Sequence, residues 1–77
     1  MRQTVSVLAH TSLESSSLQS VAYSVEKHVM EITFRSGSRY RYFGVSAQTY
    51  EALISASSKG RYFAATIRPH FLYQRLN

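Results

Sequence analysis

An α+β fold, a small antiparallel sheet packed against two short helices, is what three features of this sequence predict. From Leu18 to Phe43, apolar and polar residues alternate in short runs separated by polar or glycine-containing turns, the period-two signature of half-buried strands. After Ser46 the apolar spacing lengthens to three and four residues, as on one face of a helix. Pro69 then ends the helical region, because the residue before a proline is disfavoured in helical conformation.

At 77 residues and 8.8 kDa the chain is one domain, close to the lower size at which a core suffices for folding. It has no cysteine, so neither disulfides nor thiolate metal sites supplement that core. Six Tyr and four Phe supply the large anchors, each able to bury about 150–250 Å². Nine Lys and Arg against four Asp and Glu give a net charge of +5 and a pI near 10.0, which favours anionic partners such as nucleic acid or an acidic protein surface. Seven of the nine cations are Arg, the side chain suited to bidentate phosphate contact and to stacking. No stretch approaches the ~20 apolar residues of a membrane span, and Met1-Arg2 before Val5, Val7 and Leu8 is too short and polar for a secretory signal. The default expectation is a soluble cytoplasmic protein without a cofactor.

Residues 1–13, with Val5, Val7 and Leu8, read as an N-terminal arm or a short added strand, and residues 14–77 as the single domain. Ser15-Ser16-Ser17 is a loop into the first strand of the meander, Leu18–Val25, whose apolar face carries Val21 and Tyr23. A polar turn at Glu26-Lys27 leads to His28–Phe34, where Met30, Ile32 and Phe34 alternate with Glu31 and Thr33. That turn sets Tyr23 opposite Met30 and Val21 opposite Ile32.

The following turn must conserve parity. A two-residue loop at Ser36-Gly37 would place Tyr40 opposite Thr33 and mix the two faces. A three-residue loop, Arg35-Ser36-Gly37 with Gly37 in the left-handed bulge position, sets Ile32 opposite Tyr40, Met30 opposite Tyr42 and Glu31 opposite Arg41. The strand within Ser38–Gly44 then carries Tyr40 and Tyr42 on the core face and Arg39 and Arg41 on the other.

Ser46 is a good N-cap for a helix whose inward stripe is Ala47, Tyr50, Leu53 and Ile54, ending at Ala56. Ser57-Ser58 breaks and recaps the chain. A second short helix turns Tyr62, Phe63, Thr66 and Ile67 inward and Arg61, Ala65 and Arg68 outward. Phe71–Leu76 is a final extended segment returning to the sheet, which makes a meander of about three strands plus this C-terminal segment.

Ser57-Ser58-Lys59-Gly60-Arg61 is the best local site. Helix N-terminal N–H groups, the Ser58 hydroxyl, a permissive Gly60 and the flanking cations suit a phosphate or carboxylate, so Ser58, Lys59 and Gly60 are anion-binding candidates. The plainer reading is an N-cap with solvated cations. Tyr40 and Tyr42 read as core anchors, with base stacking as the alternative. His10, His28 and His70 are scattered and lack short carboxylate–histidine spacing, so no metal site is expected. With only Gly37, Gly44 and Gly60 there is no P-loop or dinucleotide fingerprint, and no nucleophile elbow accompanies the serines. Catalysis is not expected.

A longer pattern runs over residues 14–76. It comprises Ser15-Ser16 before Leu18, Val21-Ala22-Tyr23, the Phe34…Gly37-Ser38 hairpin and Tyr40-Arg41-Tyr42-Phe43-Gly44-Val45. Tyr50, Leu53, Ala56, Ser58, Lys59-Gly60-Arg61-Tyr62-Phe63 and Tyr73-Gln74-Arg75 complete it. In these residues the chain resembles the KTSC domain family, a short bacterial domain that occurs alone and at the C-terminus of some lysyl-tRNA synthetases. The spacing of Tyr-x-Tyr to Ser-Lys-Gly-Arg-Tyr-Phe makes the resemblance specific. Ser46 stands where the family usually has proline, and either residue starts a helix. Ala64-Ala65 replace a more polar pair, so a ligand contact of the family at that place is not carried over to this chain. The resemblance implies a role in RNA binding, one proposed for the family, and no catalytic activity.

These readings converge on a small basic, non-enzymatic module that binds RNA or other nucleic acid through an Arg-lined surface. Its candidate contacts are Arg35, Arg39, Arg41, Lys59, Arg61 and Arg68 for phosphates, with Phe43 stacking a base. The alternative is a protein-interaction module that docks an acidic partner or a second copy through the same surface or a free strand edge.

Overall fold

The alternating stretch folds as a meander and gains a strand at each end. The computed structural model describes residues 10–77, so Val5, Val7 and Leu8 lie outside the described residues. The strands are β1 (His10–Ser12), β2 (Leu18–Ser24), β3 (Val29–Phe34), β4 (Arg39–Phe43) and β5 (Tyr73–Arg75). They form one five-stranded sheet in the order β1-β2-β3-β4-β5, every neighbour antiparallel. Between β4 and β5 the chain forms α1 (Ala47–Ser55), α2 (Lys59–Tyr62) and a π-helical segment, Phe63–Ile67. This is the expected α+β architecture.

Both hairpin registers follow the buried face. Val21 pairs with Ile32 and Tyr23 with Met30 across β2 and β3. The turn between them is wider than two residues, since β2 stops at Ser24 and β3 starts at Val29. Within it Ser24 Oγ accepts the Lys27 N–H at 3.2 Å, and His28 adopts φ +55°. One residue is lost from each strand end, so the register is unchanged. Across β3 and β4, Ile32 faces Tyr40, Glu31 faces Arg41 and Met30 faces Tyr42. The loop closes as the parity argument requires: Phe34 N–H donates to Ser38 O and Gly37 N–H to Phe34 O, both at 2.9 Å. Gly37 sits at φ +99°, where an L side chain is strained.

The core lies between the sheet and the helical layer. Leu18, Val21, Met30, Ile32 and Tyr42 meet Val45, Leu53, Phe63 and Ile67, and Leu13, from the segment joining β1 to β2, is buried with them. Helix α1 is capped as expected, with Ser46 Oγ accepting the Thr49 N–H at 3.1 Å. Its inward stripe begins later than expected. Tyr50 stacks on Tyr23 with ring centroids 4.6 Å apart, Leu53 is buried, and Ala47 lies beyond these contacts and is exposed.

The second helix differs in kind. After one turn of α-helix it widens, and the Arg68 N–H donates to Phe63 O five residues back, at 2.9 Å. Phe63 and Ile67 still point inward, while Arg61, Ala65 and Arg68 are exposed. Ser58 occupies the N-cap position, but its hydroxyl makes no capping hydrogen bond, a correction to the expected cap.

Tyr23 ties the sheet to the start of the helical layer, its hydroxyl donating to Val45 O at 2.7 Å. Tyr23→Phe keeps the ring stacked on Tyr50 and removes that donor. It should lower stability by about 1 kcal/mol, read from urea unfolding. Unfolding at the wild-type midpoint would show that solvent satisfies the Val45 carbonyl equally well.

Candidate functional site

Because side chains alternate across a strand, β4 divides the residues expected to bind nucleic acid. Tyr40 and Tyr42 face the helical layer, and Arg39, Arg41 and Phe43 face the opposite side of the sheet. Lys59, Arg61 and Arg68 belong to the helical layer. The expected contacts therefore do not form one surface.

On the outer face the arginines converge on Glu31, whose side chain is only 10% exposed. Arg41 donates to Glu31 Oε2 from Nε at 3.0 Å and from Nη2 at 2.6 Å. Arg39 Nη2 lies 3.7 Å from Oε1. Among the described residues, these two cations and the carboxylate between them sum to one positive charge. The pairs bridge neighbouring strands at the positions the register brings opposite or diagonal. Phe43 is partly exposed beside them.

Arg35 has a structural task. Its Nε donates to Ser15 O at 2.7 Å and its Nη2 to Leu13 O at 3.1 Å, while its backbone N–H donates to Ser17 O at 2.9 Å. The serine loop is also braced from within, where Ser15 Oγ accepts the N–H groups of Ser17 and Leu18. The loop rests on Gly60, at which a Cβ would come within 2.8 Å of Ser17 Oγ. Gly60 thus permits a close approach between the serine loop and α2. The cavity of about 560 Å³ there is walled by the serines of both segments, with Ser58, Lys59, Gly60 and Arg61 on one side and Glu14 on the other. Lys59 Nζ turns back to donate to Ala56 O at 3.0 Å.

A second cavity, of about 320 Å³, lies on the helical side of β4, lined by Phe34, Tyr40, Tyr42, Tyr73, Arg68 and the hydroxyl-bearing Ser36 and Ser38. Its rings are in mutual contact: Tyr40 and Tyr42 have centroids 5.6 and 5.9 Å from Tyr73, and Phe34 is 5.8 Å from Tyr40. Two arginines lie over rings of this cluster, Arg68 at 5.4 Å from the Phe63 centroid and Arg75 at 5.8 Å from that of Tyr40. Tyr73 and Arg75 were not among the expected site residues. Their β5 register, which sets Tyr73 opposite Tyr42 and Arg75 opposite Tyr40, depends on how the helical excursion returns the chain.

Tyr42 is 3% exposed, and among the described residues its hydroxyl has no hydrogen-bond partner. Burial pushes its hydroxyl above the ordinary value of 10.0, with the nearby Arg68 guanidinium pulling the other way. Among the described residues no three His or Glu side chains are grouped to hold a metal, and no helix is long and apolar enough to cross a membrane.

Residues 14–71 match the family model of the KTSC domain. The chain belongs to the KTSC domain family. It is similar to the KTSC domain protein of Yersinia pestis, whose crystal structure superposes with a TM-score of 0.88 at 31% identity, over 92% of this chain and 100% of that one. A protein of Stutzerimonas stutzeri is 38% identical over 71 residues, which are 91% of this chain and 100% of the relative. The lysine–tRNA ligase of Nostoc sp. PCC 7120 is 36% identical over 64 residues, 83% of this chain but 11% of the ligase.

Two outcomes follow from the geometry of this KTSC domain. Arg35→Gln should lower stability by about 1–2 kcal/mol in urea unfolding, the scale of charged hydrogen bonds reduced for partial exposure, and speed amide exchange at Leu18. Unchanged exchange there would show that Ser15 Oγ holds the loop unaided. The second concerns alkaline pH. Tyr42 has a raised folded-state pKa, so its contribution is complete below the unfolded value of 10.0 and is lost as pH rises through the folded one. Melting temperatures from about pH 8 to about pH 12 should fall above about pH 10, less steeply in Tyr42→Phe. Equal slopes would assign the loss to other groups.

Proposed function

We propose that this KTSC domain is a non-enzymatic module that binds RNA through cations on the helical side of its sheet. The observation that carries the reading is the contrast between its two faces. Arg39 and Arg41 are drawn onto Glu31, whereas among the described residues no carboxylate pairs with Lys59, Arg61, Arg68 or Arg75. Unneutralised cations set against exposed aromatic surface suit a polyanion with stacking bases. The similarity to a segment of lysine–tRNA ligases supports the same class of partner, since those enzymes act on tRNA.

Fluorescence anisotropy of a labelled 12-nucleotide RNA, measured across a salt series, tests this. With four phosphate contacts, log K against log salt should fall with a slope of about −3, from about −0.7 per contact on a single strand. Arg61→Gln should reduce the slope by about 0.7 and weaken all sequences alike. Absence of binding by the wild type at low salt would overturn the reading. The protein-docking alternative would then lead, because Leu72 is 81% and Tyr73 60% exposed beside the edge strand β5.

A further inference from the structure

We infer that the ring-walled cavity between β4, β5 and the π-helical segment is a pocket for one unstacked nucleobase, with the adjoining phosphate held by Arg68 or Arg75. This rests on the RNA-binding reading and specifies where a base would be read. The cavity's volume, about 320 Å³, is at the small end of ligand pockets and matches a single nucleotide rather than a folded surface. Tyr73 contributes a ring that is 60% exposed, a platform on which a base can stack.

Three further features favour a base over a plain apolar group. Tyr42 lines the cavity and is almost wholly buried, and its hydroxyl has no protein partner among the described residues. Native proteins rarely leave such a donor unsatisfied, and a base edge presents carbonyl and ring-nitrogen acceptors that would satisfy it. Burial keeps this phenol protonated across the neutral range, so it acts there as a donor. The cations are placed as a phosphate requires: Arg68 lines the cavity and Arg75 covers Tyr40, and no carboxylate is among the lining residues. Finally, the hydrogen bond from Arg68 N–H to Phe63 O makes the chain one residue wider in that turn, an arrangement frequent at functional sites.

The test compares wild type, Tyr73→Ala, Tyr42→Phe and Arg61→Gln against a 12-nucleotide RNA and against the same backbone made abasic. Tyr73→Ala should weaken the intact RNA about tenfold with an unchanged salt slope, because it removes stacking and no phosphate contact. The abasic strand should bind wild type and Tyr73→Ala equally. Tyr42→Phe, which keeps the ring packing, should alter the ranking of homopolymers without altering the slope. In ¹H–¹⁵N spectra, adenosine monophosphate should shift the amides of Phe34, Tyr40, Arg68 and Tyr73. Wild type binding intact and abasic strands equally, or shifts confined to the serine loops, would overturn the pocket while leaving RNA binding in place. No binding of any strand at low salt would overturn both.

Discussion

Gly37 in left-handed conformation decides which way β4 faces, and most of the structure depends on that. With the three-residue loop it closes, Tyr40 and Tyr42 join Ile32 and Met30 on the core side. The same register delivers Arg41 to Glu31 on the other side, where the carboxylate is nearly enclosed. A slip of one residue would bury the arginines and expose the rings, so the loop and the hydrophobic pattern enforce each other. The ring cluster and the ionic patch are two consequences of one turn.

Arginine serves three physical purposes here. Arg35 satisfies backbone carbonyls that a loop would otherwise leave to solvent. Arg39 and Arg41 enclose a carboxylate, which limits how much of their charge reaches outward. Arg68 and Arg75 lie on aromatic faces, where a guanidinium keeps its charge and its in-plane donors while its flat surface packs. The formal charge of +5 therefore overstates what the outer face presents and says nothing of where the remainder sits.

The meander was legible because strand periodicity and turn parity are local and mutually constraining. Ile32 opposite Tyr40 follows from counting, as does Glu31 opposite Arg41. The division of the basic residues into two faces was legible only in part: the outward position of Arg39 and Arg41 follows from alternation, but the side taken by α2 does not. Arg35 reads in sequence as a loop cation, and its carbonyl partners lie some twenty residues away, beyond any local pattern. Ala47 fits the helical period and is nevertheless exposed, since periodicity marks a face but not where along it packing begins. The cavity under Tyr73 needed the β4–β5 register, which no periodicity supplies across a helical excursion.

The π-helical segment behaves as an α-helix carrying one additional residue, and this gives the family a simple route to divergence. Removing Ala64 or Ala65 would restore ordinary helical winding, with the inward anchor Phe63 retained. The bond from the Arg68 N–H to Phe63 O would then span four residues, and because four α-helical residues at about 100° each close the turn that five close here, the chain after the deletion would keep its direction around the helix axis. Arg68 would stay beside the ring of Phe63 and Ile67 near its inward position, with one small exposed side chain fewer on the outer side of the turn. A single codon gained or lost in this turn would thus be absorbed by its width, with the cation still beside the rings and the five-stranded sheet untouched.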